Sequence, residues 1–397
     1  MSESAPQKTV LTQPLILLMA FITGVAVSNL YYIQPIQALV ATTFHVTSGA
    51  VGTVAMLTQV GYALGLLLIV PFGDVMSRYQ LILRMLGLSL LSLLAAYLAP
   101  NFIFFALTGL MIGLTSVVPQ IIIPYAAVLA QPQKRGAVLG TILSGLLMGV
   151  LLSRSFSGII SSYIHWRWVY LIATIAIALL ILLAALKLPK DSRPKNGPSY
   201  WQTISSIPGL IAHQRLLREA AINGFFMFGT LSIFWSTLIF YMASPAYRLG
   251  SGTVGLLAIL GAAGALAAPI IGRLADAKSP RFIIATGLFM MTISYLLFLF
   301  WGHFMPILML GIVLLDVGNQ CGQVANQTRV QMLGEATSSR NNTVFMFAYF
   351  MGGASGSFFG ALAWSFGGWV AVCLLALAYQ CLALIAHFIL YHPKSTG

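Results

Sequence analysis

Residues 303–331 read HFMPILMLGIVLLDVGNQCGQVANQTRVQ, an apolar run that polar side chains interrupt at regular intervals. The polar residues follow the first one at three, four, seven, ten and eleven positions. At 100° per residue, this spacing confines them to an arc of about 120° on one helix face. They are Asp316, Asn319, Gln320, Gln323, Asn326 and Gln327. The residues between them are small or apolar, so the pattern predicts a helix with one face turned toward water or a ligand.

The composition indicates the medium that surrounds this helix. Of the 397 residues, 59% are hydrophobic and 7% are charged, and the mean hydropathy is +0.93. These charges are too few to cover a soluble protein of this size, and apolar runs near twenty residues recur throughout the chain. The sequence therefore predicts an all-α polytopic membrane protein. Its three cysteines lie in apolar runs without metal-ligand spacing, so neither a metal site nor a cofactor is predicted.

Apolar runs and the breaks between them predict twelve transmembrane helices in two pseudo-symmetric six-helix bundles. The predicted spans lie near 14–41, 50–73, 80–99, 102–130, 136–163, 167–187, 220–243, 252–276, 281–301, 304–330, 342–366 and 369–391. Between the sixth and seventh spans, the chain carries six Lys or Arg residues and an amphipathic segment at 200–211 that can lie along the membrane surface. The predicted domains are an N-terminal bundle (1–188), a cytoplasmic linker (189–218) and a C-terminal bundle (219–397).

The basic residues predict the orientation of the chain in the membrane. Lys and Arg residues of short loops stay on the cytoplasmic side, and with both termini placed there Arg167 and Arg248 alone fall outside. The net charge of +13 is thus a consequence of topology, and no nucleic-acid partner is predicted. The predicted partners are the lipid bilayer, a small-molecule substrate and protons, and the protein is expected to be a monomer.

The two halves of the chain repeat one another at offsets of 202 to 205 residues. The matched pairs are Asp74 and Asp276, Arg135 and Arg340, Met148 and Met351, and Trp166 and Trp369. Parallel repeats of six spans build transporters whose two bundles rock about a site near the bilayer midplane. The repeat therefore favours a transporter over a channel.

Two loops carry a resemblance to a known family. GRLADAKSPR at 272–281 resembles the signature between the second and third spans of each half in the major facilitator superfamily, and VPFGDVMSR at 70–78 is its degenerate first-half copy. The runs NLYYIQP at 29–35, LTQVGYALGLL at 57–67, HWRWVYL at 165–171 and NQTRV at 326–330 are similar to a bacterial branch of efflux-type permeases. The resemblance covers the chain and implies an alternating-access exporter of the bacterial inner membrane.

Two departures separate this chain from the drug-proton antiporters of that superfamily. Ser153 and Arg154 stand where their fifth span usually carries Gly-Pro. Thr108 or Gly109 stands where their fourth span usually carries an arginine linked to proton movement. The resemblance therefore supplies no coupling residue from these motifs.

Arg154 and Asp316 are the ionisable residues predicted to lie deepest within spans. An ionisable group at such a depth costs about 2.5 to 3.5 kcal/mol on insertion scales and usually faces a cavity or a partner. The two residues have opposite charge and similar predicted depth, and the resemblance places spans 5 and 10 beside one cavity. We predict that they form the proton-coupling pair. The alternative is a pair that only locks the two bundles together.

The resemblance also implies that spans 1, 4, 7 and 10 line a central cavity. The substrate-binding candidates in the first half are Asn29, Tyr31, Tyr32 and Gln34 in span 1, Gln59 in span 2 and Gln120 in span 4. The candidates in span 10 are Asn319, Gln320, Gln323, Asn326 and Gln327. Each of these residues is as compatible with an interhelical hydrogen bond as with a ligand contact.

Six charged residues beside the cytoplasmic loops are predicted to gate that side. They are Asp74, Arg78, Arg135, Asp276, Arg281 and Arg340. By the pseudo-symmetry, Asp74 is assigned to the start of span 11 near Arg340, and Asp276 to the start of span 5 near Arg135. A carboxylate is favoured there by the free N–H groups and the dipole of the helix. The alternative is a solvated loop carboxylate.

Small residues at intervals of four predict close helix packing in spans 5 and 11. The stripe in span 5 is Gly145, Gly149, Ser153, Ser157 and Ser161, and the stripe in span 11 is Ala348, Gly352, Gly356 and Gly360. We predict that the two bundles slide against one another at these stripes.

The sequence thus predicts proton-coupled export of a small, partly apolar organic solute by alternating access. The alternative is a facilitator or a proton-symport importer of a small metabolite. The polar stripe with its single carboxylate favours a neutral or cationic solute, whereas Arg154 favours an anion. An enzyme is not predicted, because the chain offers neither a nucleophile beside a base nor a cluster of metal ligands.

Overall fold

The structure is a computed structural model that describes residues 11–191, 199–261, 264, 267, 271, 279–334 and 337–390, apart from the side chains of Asp74 and Pro132. Within these ranges every regular element is a helix. The helices of the first half are α1 (Gln13–Ser28), α2 (Ile33–Phe44), α3 (Ser48–Leu68), α4 (Arg78–Tyr97), α5 (Phe102–Thr115), α6 (Val118–Leu129), α7 (Arg135–Tyr163) and α8 (Arg167–Lys187).

Two short helices of the linker lead into the second half. They are α9 (Tyr200–Ser205) and α10 (Ile207–His213). The helices that follow are α11 (Arg215–Ala243), α12 (Ser251–Leu257), α13 (Pro280–Trp301), α14 (Met305–Gln331) and α15 (Ser338–Leu390), and a 3-10 turn at Ala258–Gly261 follows α12. The polar stripe predicted from the sequence thus lies on one unbroken helix, α14.

Two of the predicted spans are each split near their middle. The turn at 29–32 separates α1 from α2, and the turn at 116–117 separates α5 from α6. Prolines stand in the first turn of the helices that follow, at Pro35 and Pro119, where the missing proline N–H removes no helical hydrogen bond. Irregular backbone at such a depth is tolerated where it is buried in protein or lines a cavity.

Ten helical segments within the described ranges are long and apolar enough to cross a membrane. The longest is α15 with 53 residues, a length of about 80 Å at 1.5 Å per residue, more than twice the apolar thickness of a bilayer. Its backbone is not helical at Gly367 and Gly368, and Gly368 has a φ of 57°. The helix therefore forms two arms, 338–366 and 369–390.

These segments confirm an all-α polytopic membrane protein. The count of twelve spans stays a prediction, because the eighth predicted span, 252–276, is described beyond Gly261 only at residues 264, 267 and 271. The domain boundaries at 188 and 218 stay predictions as well. Residue 188 directly follows α8, and residue 218 lies in the first turn of α11.

Local structure follows the internal repeat at several equivalent positions. Ser77 caps α4 with its hydroxyl, and Ser279, which lies 202 residues later (279 − 77), caps α13 in the same way. Trp166 and Trp369 are both buried, and each donates its indole N–H to a neighbouring helix. The two halves thus share backbone and packing features at the positions that the repeat predicts.

The glycines of the predicted stripes pack within each half, which corrects the prediction that they form the sliding surface. Gly149 of α7 lies against the backbone of Gly24 in α1, and Gly356 of α15 lies against the backbone of Gly229 in α11. A methyl group at either stripe position would collide with the partner backbone. The physical reason is that small residues let any two helices approach closely, and the spacing alone does not say which helix is the partner.

Other glycines, together with Ser161 of the predicted span 5 stripe, form contacts between the halves. Gly158 of α7 packs on Gly255 of α12, and Gly52 of α3 packs on Ala361 of α15. The Oγ of Ser161 also donates to the Oγ of Ser251 at 3.0 Å. These contacts lie at what we call the far end, opposite the linker end, which carries α9, α10 and the segments 69–77 and 332–334.

Candidate functional site

A cavity of about 560 Å³ lies between the two halves and extends from the middle of the molecule toward the linker end. Its wall in the second half is mainly α14, from Asp316 to Gln331, and its wall in the first half is mainly α7, from Leu139 to Arg154. Gln331 is exposed at the linker-end terminus of α14. The contacts between α3 and α15 and between α7 and α12 close the far end, so the cavity is accessible from the linker end.

Eight of the thirteen residues predicted for substrate binding and proton coupling line this cavity. They are Tyr31, Gln120, Arg154, Asp316, Asn319, Gln320, Gln323 and Gln327. Five of the eight lie on α14, so the helical spacing read from the sequence does place them on one face. Their roles in binding and coupling stay predictions.

The other five predicted residues lie behind the lining and contact neighbouring helices. The amide nitrogens of three of them donate hydrogen bonds in the pairs Asn29–Ser89 (3.2 Å), Gln59–Ser357 (2.7 Å) and Asn326–Asn223 (2.9 Å). Tyr32 packs on Phe156 of α7. Gln34 accepts a hydrogen bond from Arg154, so it reaches the cavity through that side chain.

Arg154 is held by groups from both halves. Its Nε donates to Oε1 of Gln34 at 2.6 Å. The guanidinium carbon lies 4.7 Å from the ring centre of Tyr31 and 4.5 Å from that of Trp235 in α11, and both distances lie within the range of a cation–π interaction. The residue is 5% exposed, so aromatic and amide groups of the protein surround most of its charge.

Asp316 faces the same cavity and lies beside Trp235. Among the described residues, neither Oδ2 of Asp316 nor the indole N–H of Trp235 has a hydrogen-bond partner. The described residues include both Arg154 and Asp316, and the two form no ion pair within 4.0 Å, although their charges interact electrostatically. The opposite charges thus lie near one another across the boundary between the halves without being joined.

The stretch from Gly255 to Gly261 lies close to both charged residues. A Cβ on Gly255 would lie 3.3 Å from the carbonyl oxygen of Arg154, and a Cβ on Gly261 would lie 3.5 Å from Oδ2 of Asp316. The 3-10 turn at Ala258–Gly261 ends at the second of these contacts. One short segment thus lies against the backbone of Arg154 and the side chain of Asp316.

Tyr349 of α15 links two residues of the polar stripe. Its hydroxyl accepts a hydrogen bond from Nδ2 of Asn319 at 2.9 Å and donates one to Oε1 of Gln323 at 3.1 Å. Its ring stacks on Phe228 of α11 with 4.1 Å between ring centres. Sequence reasoning missed Tyr349, because its role depends on α15 lying against α14. The sequence feature that could have indicated Tyr349 is its position three residues before Gly352, a glycine of the stripe that predicts close helix packing.

The two walls of the cavity differ in polarity. The lining residues of α7 other than Arg154 are aliphatic, namely Leu139, Leu143, Leu146, Leu147, Val150 and Leu151. Those of α14 are polar except for Val324. Rings from both halves meet at the inner end of the cavity, where Tyr62 of α3 and Phe350 of α15 lie with 4.4 Å between ring centres.

A second ionic group is buried in the second half, outside the cavity lining. Nη2 of Arg329 contacts Oε2 of Glu219 at 2.7 Å, and Nη1 contacts Oε1 at 3.0 Å, which makes a bidentate ion pair between α14 and α11. Glu219 is 2% exposed and Arg329 is 6% exposed. Sequence reasoning missed this pair. The sequence feature that could have indicated the pair is that Glu219, at the start of span 7, and Arg329, at the end of span 10, have opposite charge and equal predicted depth.

The structure does not test the gating role of four of the predicted residues. Asp276 lies outside the described residues, and of Asp74 the backbone alone is described, at the end of a 3-10 turn. Arg135 and Arg281 are exposed at the starts of α7 and α13. The assignments of Asp74 and Asp276 to opposite helix starts therefore stay predictions.

The other two gating residues meet at a smaller cavity at the linker end. Arg78 and Arg340 line a space of about 280 Å³ bounded by the first half, the linker helices and α15. Nη1 of Arg340 donates to Oγ of Ser206 in the linker at 2.7 Å. The backbone N–H of Arg78 donates at 2.9 Å to Asp191, which follows α8. The linker is therefore bound to both halves beside the predicted gate.

Comparison with known proteins agrees with this architecture. Residues 16–361 match a family model described as Major Facilitator Superfamily. The uncharacterized transporter YgaY of Escherichia coli O157:H7 is 35% identical over 387 residues, which are 98% of this chain and 98% of that protein. The "Probable transporter SCO4007" of Streptomyces coelicolor is 30% identical over 370 residues, which are 93% of this chain and 86% of that protein.

One solved structure shows the same fold at low sequence identity. It is the crystal structure of a bacterial homologue of the human lysosomal transporter Spinster, in an inward-facing and unoccupied conformation. The TM-score is 0.76 at 14% identity, over 99% of this chain and 100% of that chain. At this identity the likeness concerns the fold alone.

Proposed function

We propose that this chain, which belongs to the major facilitator superfamily, exports a small, partly apolar organic solute in exchange for protons. The relatives compared above are named as transporters. The observation that carries the proposal is the position of Arg154 and Asp316 in one cavity, on helices of opposite halves, without a direct ion pair. A carboxylate that is near a cation but not bound to it remains able to take up a proton.

The distance between Arg154 and Asp316 controls proton binding in this proposal. A cation within about 4 to 6 Å favours the ionised carboxylate, and its withdrawal favours the protonated form. Because α7 and α14 belong to opposite halves, rocking of the halves changes this distance. Asp316 then binds a proton in one state and releases it in the other.

Two features next to the carboxylate support coupling between rocking and protonation. Gly255 contacts the backbone of Arg154, and Gly261 contacts the carboxylate of Asp316, so a shift of α7 is transmitted over one short segment. The indole N–H of Trp235 is unpaired beside Asp316, so a small movement would let it donate to the carboxylate. Such a bond would stabilise the ionised carboxylate in the state that releases the proton.

The charge asymmetry predicts that the linker end and both termini face the cytoplasm, and the proposed direction, export, comes from the resemblance to efflux-type permeases. The conformation described above then corresponds to an inward-open state. In the outward-open state, Asp316 takes a proton from the more acidic exterior as the substrate leaves. In the inward-open state, substrate binding or the approach of Arg154 releases the proton, and this reciprocal competition produces antiport.

Exchanging Asp316→Asn tests the proposal, because asparagine keeps the shape of the side chain but cannot ionise. We expect the purified variant in proteoliposomes to lose uphill transport driven by a pH gradient, while substrate exchange at equal pH is retained. Gln320→Asn is the comparison variant: it shortens a neighbouring lining amide without removing an ionisable group, so it should lower substrate affinity but retain uphill transport driven by a pH gradient. Uphill proton-driven transport by Asp316→Asn would remove Asp316 from the mechanism.

We also propose that Asp74 and Asp276 close the cytoplasmic side by binding the starts of spans 11 and 5. Asp74→Asn should slow transport and raise the population of the inward-open state without lowering expression. The measurement is the labelling rate of a single cysteine introduced at Gln331, which is exposed at the cavity mouth. An unchanged labelling rate would contradict the gating role.

A further inference from the structure

The polar wall of the cavity has unused hydrogen-bonding capacity. Oδ1 of Asn319 has no partner among the described residues, although the residue is 4% exposed and lines the cavity. Its amide is oriented by the bond from Nδ2 to Tyr349. Gln320, the next residue, and Gln323, about one helical turn further toward the linker end, line the same wall. A buried amide oxygen without a partner is costly, so this wall is suited to a ligand that donates hydrogen bonds.

The opposite wall favours hydrocarbon. Leu143, Leu147 and Val150 of α7 line the cavity over about two helical turns, and Leu143 is 43% exposed. The stacked rings of Phe228 and Tyr349 add a flat apolar surface at the inner end. Burial of apolar surface against this wall stabilises a ligand by about 25 cal/mol per Å². The cavity therefore combines a hydrogen-bonding side and an aliphatic side.

The two charges of the cavity offer little to a charged ligand. Arg154 is almost fully buried and is already surrounded by Gln34, Tyr31 and Trp235. The unpaired oxygen of Asp316 is buried, and a Cβ on Gly261 would lie 3.5 Å from it. One cation and one anion also cancel in net charge. A ligand with a net charge would leave part of that charge uncompensated in a poorly solvated site.

We propose that the substrate is an uncharged amphiphile, in which a head group rich in hydroxyls is joined to a hydrocarbon substituent. The α14 amides bind the head group, and the substituent lies along the leucines of α7. The proposal rests on the transport function proposed above, because it assigns the chemistry of the solute to the same cavity. It leaves substrate recognition to these two walls, so the substrate acts on the proton of Asp316 through the approach of Arg154 rather than by direct contact.

Binding of methyl, butyl and hexyl β-glucoside to the purified protein in lipid nanodiscs tests the proposal. The measurement is ligand-dependent protection against thermal unfolding at one pH, with no proton gradient. We expect affinity to increase about two- to fourfold for each added methylene group, because each is buried against the α7 wall. Hexanol, which lacks the head group, and hexyl sulfate or hexyltrimethylammonium, which are charged, should each bind at least tenfold more weakly than hexyl glucoside.

Matched variants separate the two walls. Leu147→Ala should flatten the increase in affinity from methyl to hexyl glucoside, whereas Gln320→Leu should weaken all three glucosides by a similar factor. Leu152→Ala is the control for the first, because Leu152 lies on the same helix but is 49% exposed and is not part of the lining. It should leave the affinity and the chain-length dependence unchanged.

Affinity that is independent of chain length, absence of glucoside binding, or preference for either charged hexyl compound would overturn the proposal. If Leu147→Ala and Leu152→Ala lost the dependence of affinity on chain length equally, the hydrocarbon chain would be interacting with the surrounding lipid rather than with the cavity wall. That result would also overturn the proposal. Failure of the antiport proposal would give a different result. Asp316→Asn would retain uphill transport, while the affinities measured without a gradient would still increase from methyl to hexyl glucoside.

Discussion

The two halves place different side chains on either side of one cavity, although they pack their helices in the same way. In the first half, Gly149 of α7 lies on Gly24 of α1. In the second half, Gly356 of α15 lies on Gly229 of α11. The cavity walls that these helix pairs support do not match: α7 presents leucines and a cation, and α14 presents amides and a carboxylate. The repeat therefore accounts for backbone packing, and the asymmetry of the side chains produces the site.

The same contrast holds away from the cavity. Glu219 and Arg329 form a buried ion pair in the second half. The positions 203 residues earlier (219 − 203 and 329 − 203) are Ile16 and Ala126, which are buried and apolar. At these two positions of the repeat, the first half thus carries apolar side chains where the second half carries an ion pair. We infer that the backbone packing shared by the halves does not depend on the ion pair.

The largest effect is expected from breaking this ion pair. Removal of one partner from a buried pair costs about 3 to 5 kcal/mol, because the remaining charge is left without compensation. Glu219→Leu and Arg329→Leu should each sharply lower expression and the melting temperature in detergent. The double variant Glu219→Leu with Arg329→Leu should recover most of the loss, since the first half tolerates an apolar pair at the equivalent positions. A double variant no more stable than either single variant would contradict this comparison.

The next largest effect is expected at Arg154, the cation of the apolar wall. Arg154→Gln removes the positive charge near Asp316, so proton-driven uphill transport should be lost while exchange at equal pH continues. Arg154→Lys keeps the charge but loses the planar group that contacts the rings of Tyr31 and Trp235, so transport should fall by about tenfold, the equivalent of roughly 1.4 kcal/mol in the barrier. Equal rates in the two variants would mean that charge is not what Arg154 supplies.

A smaller and more selective effect is expected from adding one methyl group at two glycine contacts. Gly149→Ala collides with Gly24 inside the first half, so it should destabilise every conformation, by about 1 to 3 kcal/mol. Gly52→Ala collides with Ala361 across the halves, so it should disfavour the closed far end alone. We expect lower melting temperature for Gly149→Ala. For Gly52→Ala we expect faster labelling of far-end cysteines at nearly normal stability.

Reversal of these two outcomes would show that the assignment of contacts within and between the halves is incorrect. The spacing of small residues could not make this assignment. The spacing correctly identified Gly149 as a position of close helix packing but predicted it to lie on the surface between the halves. The glycines that contact the opposite half are Gly52, Gly158 and Gly255.

The fold and the polar wall were largely predictable from the sequence, because both follow from periodicity. The stripe from Asp316 to Gln327 needed only the helical repeat of 3.6 residues to fall on one face, and five of its six members line the cavity. Asn326, the sixth, lies at the edge of the arc and contacts Asn223 in α11.

Contacts between distant segments were not predictable from periodicity. Tyr349, Trp235 and Glu219 acquire their partners through the packing of α15 and α11 on α14 and α7, and no spacing in the sequence reports that packing. The splitting of span 1 also matters here, since the turn at 29–32 places Tyr31 in the lining and Tyr32 behind it. Because the sequence predicted one continuous helix there, Tyr31 and Tyr32 were both candidates for substrate binding.

The smallest effect is expected at Tyr349, where one hydroxyl links two amides of the polar wall. Tyr349→Phe removes the bonds to Asn319 and Gln323 but keeps the stacking of the ring on Phe228. Because both amides line the cavity and water can replace the lost partner, we expect a net loss of about 1 kcal/mol, or roughly fivefold in substrate affinity, with unchanged maximal rate. Tyr295→Phe is the control, since its hydroxyl donates to the backbone oxygen of Thr230 away from the cavity. A loss of maximal rate instead of affinity in Tyr349→Phe would place this hydroxyl in the conformational change rather than in the binding wall.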